Sequence, residues 1–138
     1  MIIQNALAPA AIRHAIADLM SDRLCGLSIA SAYVTESGSD IIRQCAGRYI
    51  ADAAFRQIPK RIVTCFDFGL SEPEALRHWM RTNATVVQVA GSEMVQRGSL
   101  VPAEAFHPKA YAFQTSADAA NILVGSANMT GRGLSVNA

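Results

Sequence analysis

Short apolar runs alternate with amphipathic stretches along the chain, and this alternation predicts an α/β fold. Apolar, β-branched runs predict strands at 24–34, 61–66 and 85–89. Apolar residues at helical spacing predict helices at 9–20, 40–55 and 73–81. We expect one domain over 1–138, an α/β sandwich with a mixed, mostly parallel central sheet flanked by helices on both sides.

Two further strands are predicted in the last third of the chain. Residues 105–114 alternate between apolar and polar positions, and the apolar run 121–124 predicts a buried strand that stops at Gly125. Small polar residues at 115–120 suit a hairpin connection between these strands. Polar loops are expected at 35–39 and, with less pattern, at 91–102.

A short helix is expected near Arg132, with Thr130 or Asn128 as its N-cap. His107 and Lys109 share one face of the predicted strand 105–114, because side chains two residues apart point the same way. Pro108 between them cannot donate to a sheet ladder, so the strand should be bent or at an edge there.

Chemically useful side chains gather where these last two strands meet. Ser126 and Asn128 lie in the turn after 121–124, so adjacent strand ends would bring them to His107 and Lys109. The group combines a nucleophile, a fixed cation and polar donors. Phosphoryl transfer needs these three components.

The pattern His107-x-Lys109 followed by Gly125-Ser126-x-Asn128 resembles the signature of the phospholipase D superfamily. That superfamily includes lipid hydrolases and metal-independent nucleases, some with a single motif per chain. The resemblance implies that His107 attacks phosphorus while the His of a second motif protonates the leaving oxygen. It also implies that Lys109 and Asn128 bind the non-bridging oxygens and that Ser126 hydrogen-bonds the phosphate. No metal or other cofactor is then required.

Three further residues are expected to border the substrate. Ser31 and Tyr33 end the first predicted strand, and the carboxyl ends of strands line the ligand site in α/β sheets. Gly125 opens the polar turn. His14 and His78 lie in predicted helices without a matching Lys and Asn, so the second His is expected from a two-fold homodimer or from a downstream motif.

Departures from the family pattern bear on the substrate. Members often carry Asp five residues after the Lys, where this chain has Gln114, and this favours the nuclease branch. The leading hypothesis is an endonuclease acting on DNA. The alternatives are a phospholipid or other phosphodiester hydrolase, and a non-catalytic phosphate- or DNA-binding module of a helicase or restriction system. Asn137-Ala138 matches the start of a further family motif, so a longer parent protein is expected.

Composition sets outer bounds on these expectations. Of the twelve basic residues ten are Arg, which suits phosphate contact, but eleven acids nearly cancel them and leave a net charge of +1. Neither a membrane span nor a signal peptide is evident, so a cytoplasmic protein is expected. Cys25, Cys45 and Cys65 are predicted to be buried reduced thiols. Phe66, Phe68 and Trp79 are predicted to be core residues.

Overall fold

Five strands form one mixed sheet in a computed structural model that describes residues 11–102 and 105–135. The strands are β1 (Gly26–Ser31), β2 (Lys60–Cys65), β3 (Thr85–Ala90), β4 (Lys109–Ser116) and β5 (Ala119–Val124). Their order across the sheet is β3-β2-β1-β4-β5. The predicted α/β class and mixed sheet are confirmed. Asn137-Ala138 and the first residues of the predicted helix 9–20 lie outside the described residues.

Strand directions bring several chain segments to one edge of the sheet. β1, β2 and β3 are parallel, whereas β4 runs antiparallel to β1 and β5 antiparallel to β4. The carboxyl ends of β1, β2, β3 and β5 therefore meet the amino end of β4 at the same edge. We call this the carboxyl edge. It is where ligands bind in open α/β sheets.

The described part of the chain also contains helices. They are α1 (Ala11–Leu19), α2 (Glu36–Ala46), α3 (Asp52–Gln57), α4 (Pro73–Met80), α5 (Ser92–Gln96) and α6 (Gly131–Ser135). Helices α1, α2, α4 and α6 pack against one another on one face of the sheet. Leu27, Ile29 and Phe113 on the helical face are buried, whereas Val86 and Ile122 on the opposite face are 56% and 64% exposed. Coverage of both faces was therefore a wrong expectation for the described part of the chain.

The helices differ from the sequence prediction in three places. The expected loop 35–39 is the start of α2, because Thr35 is its N-cap and Thr35 Oγ1 accepts a hydrogen bond from the Gly38 N–H at 3.2 Å. The single helix expected at 40–55 is two helices, since α2 ends at Ala46 with Gly47 as its C-cap. The stretch 91–102, expected to be unpatterned, contains the short helix α5.

Three burial predictions were wrong. β5 is an edge strand in which Leu123 is buried but Val124 is 73% exposed. Phe68 is 55% exposed, in contrast to Trp79, which is fully buried as predicted. Cys25 is exposed just before β1. Of the helices in the described ranges, none is long and apolar enough to cross a membrane.

The thiols provide a test of this burial pattern. Cys25 is exposed, whereas Cys45 and Cys65 are buried, and burial raises the pKa of both buried thiols. We predict that Ellman's reagent modifies Cys25 rapidly in the native protein and reaches Cys45 and Cys65 only in denaturant. Rapid modification of all three thiols in the native protein, or the absence of any rapid modification while Cys25 is present, would contradict the fold.

Candidate functional site

Backbone hydrogen bonds fix the first residues of β4 between β1 and the end of β5. Lys109 pairs with Ser31 in the β1–β4 register, and the Lys109 carbonyl accepts from the Gly125 N–H at 3.1 Å. The Pro108 carbonyl accepts from the Ala32 N–H at 3.1 Å. β4 therefore begins at Lys109, not at 105, and it lies inside the sheet, so Pro108 precedes an interior strand and is not on an edge.

His107 and Lys109 contact each other at this carboxyl edge. Lys109 Nζ lies 2.9 Å from the His107 carbonyl oxygen, to which it donates, and 3.4 Å from His107 Nδ1. The Tyr33 ring and the imidazole are in a T-shaped arrangement, with ring centroids 6.1 Å apart and an interplanar angle of 81°. His107 is exposed and Lys109 is half-buried, so an anion in solvent can reach both.

Asn128 joins the same cluster through the loop after β5. Asn128 Oδ1 accepts a hydrogen bond from the Tyr33 N–H at 3.3 Å, which directs the side chain toward the end of β1. The next residue is fixed by its backbone, because the Met129 carbonyl accepts from the Thr35 N–H at 3.0 Å. The Asn128 Nδ2 group makes no hydrogen bond within the described residues, so its donors remain available to an anion.

Ser31 is buried, and its hydroxyl positions two neighbouring backbone segments. Ser31 is fully buried, and its hydroxyl accepts from the Met129 N–H at 2.8 Å and donates to the Tyr33 carbonyl at 2.8 Å. The expectation that Ser31 borders a phosphate does not fit this geometry, because both of these hydrogen bonds are internal. Ser31 instead ties the loop carrying Asn128 to β1.

The other predicted residues occupy the same edge with fewer contacts. Ser126 is exposed one residue after Gly125, whose N–H is held by Lys109. Gly125 borders open space, so no neighbouring atom requires its lack of a side chain. Beneath this turn the Tyr111 hydroxyl donates to the Ala127 carbonyl at 2.8 Å. Burial raises the pKa of Tyr111, which keeps this phenol protonated as a donor.

Asp67 belongs to the site although the sequence prediction omitted it. Asp67 is 2% exposed, and its Oδ2 accepts from the Phe106 N–H at 3.1 Å. The Phe106 carbonyl lies 3.7 Å from the Cys65 thiol, whose pKa burial raises to about 11. The N–H and the carbonyl of Phe106, immediately before His107, are thus both held by residues at the end of β2 or just after it. Asp67 directly follows the predicted strand 61–66, so the carboxyl-end reasoning that selected Tyr33 could have found it.

Partial burial also affects Tyr33, which faces His107. Desolvation raises the pKa of the Tyr33 phenol, and the neighbouring Cys65 and Asp67 raise it further. The phenol therefore stays protonated at neutral pH and can donate a hydrogen bond.

The arrangement suits an anion. One cation, an amide with open donors, an exposed hydroxyl and an imidazole share the carboxyl edge. Within 11–102 and 105–135, no three His, Cys, Asp or Glu side chains cluster closely enough to hold a metal ion.

Comparisons with known proteins assign no family. No protein-family model matches the chain, and no curated protein matches it significantly. The resemblance to the phospholipase D superfamily therefore depends on the motif residues and on their positions in the fold.

Gly38 in α2 provides a test of how the Asn128 loop is held. A Cβ at Gly38 would collide with the Met129 backbone carbonyl, whereas a Cβ at Gly47 would lie 3.4 Å from its nearest neighbour, the Arg43 carbonyl oxygen. We predict that Gly38→Ala destabilises the protein by about 1–3 kcal/mol because the loop must move. Gly47→Ala is the matched control and should change stability little. Urea unfolding measures both, and equal effects would contradict the close packing.

Asp67 provides a second test, on the segment before His107. Asp67→Ala leaves the Phe106 N–H without its acceptor, which we expect to cost about 1–3 kcal/mol in urea unfolding. Asp67→Asn keeps an acceptor oxygen and should retain more of the stability. Asp118→Ala in the exposed β4–β5 turn is the control. A loss in Asp67→Ala no larger than in this control would show that the contact is unimportant.

Proposed function

We propose that this chain is a metal-independent phosphodiesterase of the phospholipase D type, acting as an endonuclease on DNA. The observation that carries the proposal is the convergence of His107, Lys109 and Asn128 at the carboxyl edge. His107 is held by a ring contact with Tyr33, and Asn128 is held by a hydrogen bond from the Tyr33 N–H. Preorganised donors around a nucleophile are what a phosphoryl transition state requires.

The reaction follows in two balanced steps. A neutral His107 nitrogen attacks phosphorus, so a P–N bond forms as the P–O bond to the leaving alkoxide breaks. A second, protonated imidazole donates its proton to that alkoxide. In the second step this imidazole, now neutral, accepts a proton from water, whose oxygen attacks phosphorus and releases His107. Lys109, Asn128 Nδ2 and Ser126 stabilise the charge on the non-bridging oxygens throughout.

The second imidazole comes from a homodimer in this proposal. His14 lies in α1 and His78 in α4, whereas the side-chain partners of His107 among the described residues are Lys109 and Tyr33. An isologous interface across the exposed carboxyl edge would place the two copies of His107 opposite each other. Each bound phosphate would then have one nucleophile and one proton donor.

Gln114 does not weaken this proposal. It lies five residues along β4 from Lys109, about 17 Å away at the usual rise per residue, and it pairs with Gly26 at the far end of β1. An acid at that position would not touch the phosphate. The Arg-rich set of cations suits contact with the several phosphates of a nucleic-acid strand, since guanidinium groups bind phosphates in bidentate fashion.

Cleavage of a labelled DNA oligonucleotide tests the function. We predict activity that persists in EDTA and falls by roughly a thousandfold in His107→Ala, because the nucleophile is lost. His14→Ala is the matched control, since His14 is exposed on α1, and it should retain wild-type activity. Full activity in His107→Ala, or cleavage abolished by EDTA, would contradict the mechanism. Cleavage of a phospholipid but of no DNA would assign the lipid branch.

A mixing experiment tests the shared site. Wild-type protein titrated with His107→Ala should lose activity in proportion to the loss of wild-type homodimers, and the active species should sediment as a dimer. An active monomer would contradict the shared site but not the phosphoenzyme chemistry.

A further inference from the structure

Large apolar side chains lie exposed beside the segment that carries His107. They come from 68–70 and 100–101, which are joined by a hydrogen bond from the Phe68 N–H to the Leu100 carbonyl at 2.7 Å. Their exposed fractions range from 48% to 69%. The group, which we call the apolar rim, consists of Phe68, Leu70, Leu100 and Val101.

Phe68 is the least expected member of this rim. Its φ of 57° lies in the left-handed region, which is unfavourable for a residue with a side chain. Gly69 beside it adopts a similar φ of 67° without that strain. Phe68 is 55% exposed, so core packing does not compensate for the strained backbone. A strained residue with an exposed aromatic ring points to a contact outside the described chain.

The rim adjoins the candidate site through Asp67. Phe68 follows Asp67, whose carboxylate holds the Phe106 N–H, and His107 follows Phe106. The Cα atoms of Phe68 and Asp67 are about 3.8 Å apart, as are those of His107 and Phe106. A base attached to a phosphate at His107 is therefore close enough to reach the rim.

We propose that the apolar rim stacks an unpaired base of the nucleic acid whose phosphate lies at His107, with Phe68 as the stacking ring. This inference rests on the proposed function and names its substrate class. Bases inside a duplex have both faces covered by neighbouring bases, so a stacking ring selects single-stranded or locally unpaired nucleic acid. Stacking uses the π-face that every base has, so the rim contributes affinity without sequence preference.

Two probes separate stacking from phosphate binding. One is a fluorescein-labelled thymidine oligonucleotide, and the other has the same length and backbone but abasic sites in place of bases. Fluorescence anisotropy gives binding, and gel analysis gives cleavage. We expect the wild-type protein to prefer the thymidine strand by roughly five- to 150-fold, the range for stacking of one base on an aromatic side chain. A duplex of the same sequence should bind less tightly than the single strand.

Substitutions at Phe68 should change this preference and leave the fold intact. Phe68→Gly removes the ring at a φ that suits glycine, so thermal stability should not fall, and the preference for the thymidine strand should vanish. Phe68→Trp should retain the preference, and Phe68→Leu should lose most of it. Tyr49→Ala, which removes an exposed aromatic side chain beyond the far end of α2, is the matched control and should behave as wild type.

Other outcomes would overturn the inference. An unchanged preference in Phe68→Gly would do so, as would an equal loss on both probes, which would assign Phe68 to loop structure. Sedimentation with phosphatidylglycerol vesicles that requires Phe68, without a thymidine preference, would assign the rim to lipid. If neither strand is cleaved, the proposed function fails, while the anisotropy comparison still decides whether Phe68 stacks bases.

Discussion

The antiparallel insertion of β4 beside β1 is the constraint on which the site depends. In a purely parallel sheet, the amino end of β4 would lie at the other edge of the sheet, away from the carboxyl ends of its neighbours. Because β4 is reversed, its first residue Lys109 pairs with Ser31, the last residue of β1, and the hairpin returns β5 to the same edge. One reversal thus brings the two halves of the motif together, although Lys109 and Gly125 are separated by a whole hairpin.

Buried polar contacts then fix what the topology brings together. Ser31 holds Met129 and Tyr33, and Asp67 and Cys65 hold the two polar groups of the Phe106 backbone. Each anchors a backbone segment next to a candidate functional residue, while His107 itself is left exposed. Hydrogen-bonded backbone beneath exposed side chains is the arrangement expected of a preorganised site.

The sequence predicted which candidate residues lie at one edge of the sheet better than it predicted the contacts that hold them there. His107, Lys109 and Asn128 could be placed at one edge from strand ends and turn residues alone. Ser31 was placed correctly at that edge, but its burial depends on Met129, nearly a hundred residues away, which no local pattern reveals. Asp67 was missed because an acid after a strand is also common in turns. The exposed face of the sheet was not predictable. Val86 and Ile122 are apolar residues on that face, and their apolar character alone does not show whether a second layer covers it.

Detection of a phosphorylated His107 would distinguish a phosphohistidine mechanism from every other route to cleavage. After reaction with a DNA oligonucleotide and an alkaline quench, which preserves phosphoramidate bonds, peptide mass spectrometry should find a nucleotide adduct on the peptide containing His107. We expect the adduct to form without metal and to be absent in His107→Ala. Efficient cleavage with no adduct on His107 at any time point, or an adduct on another residue, would contradict it.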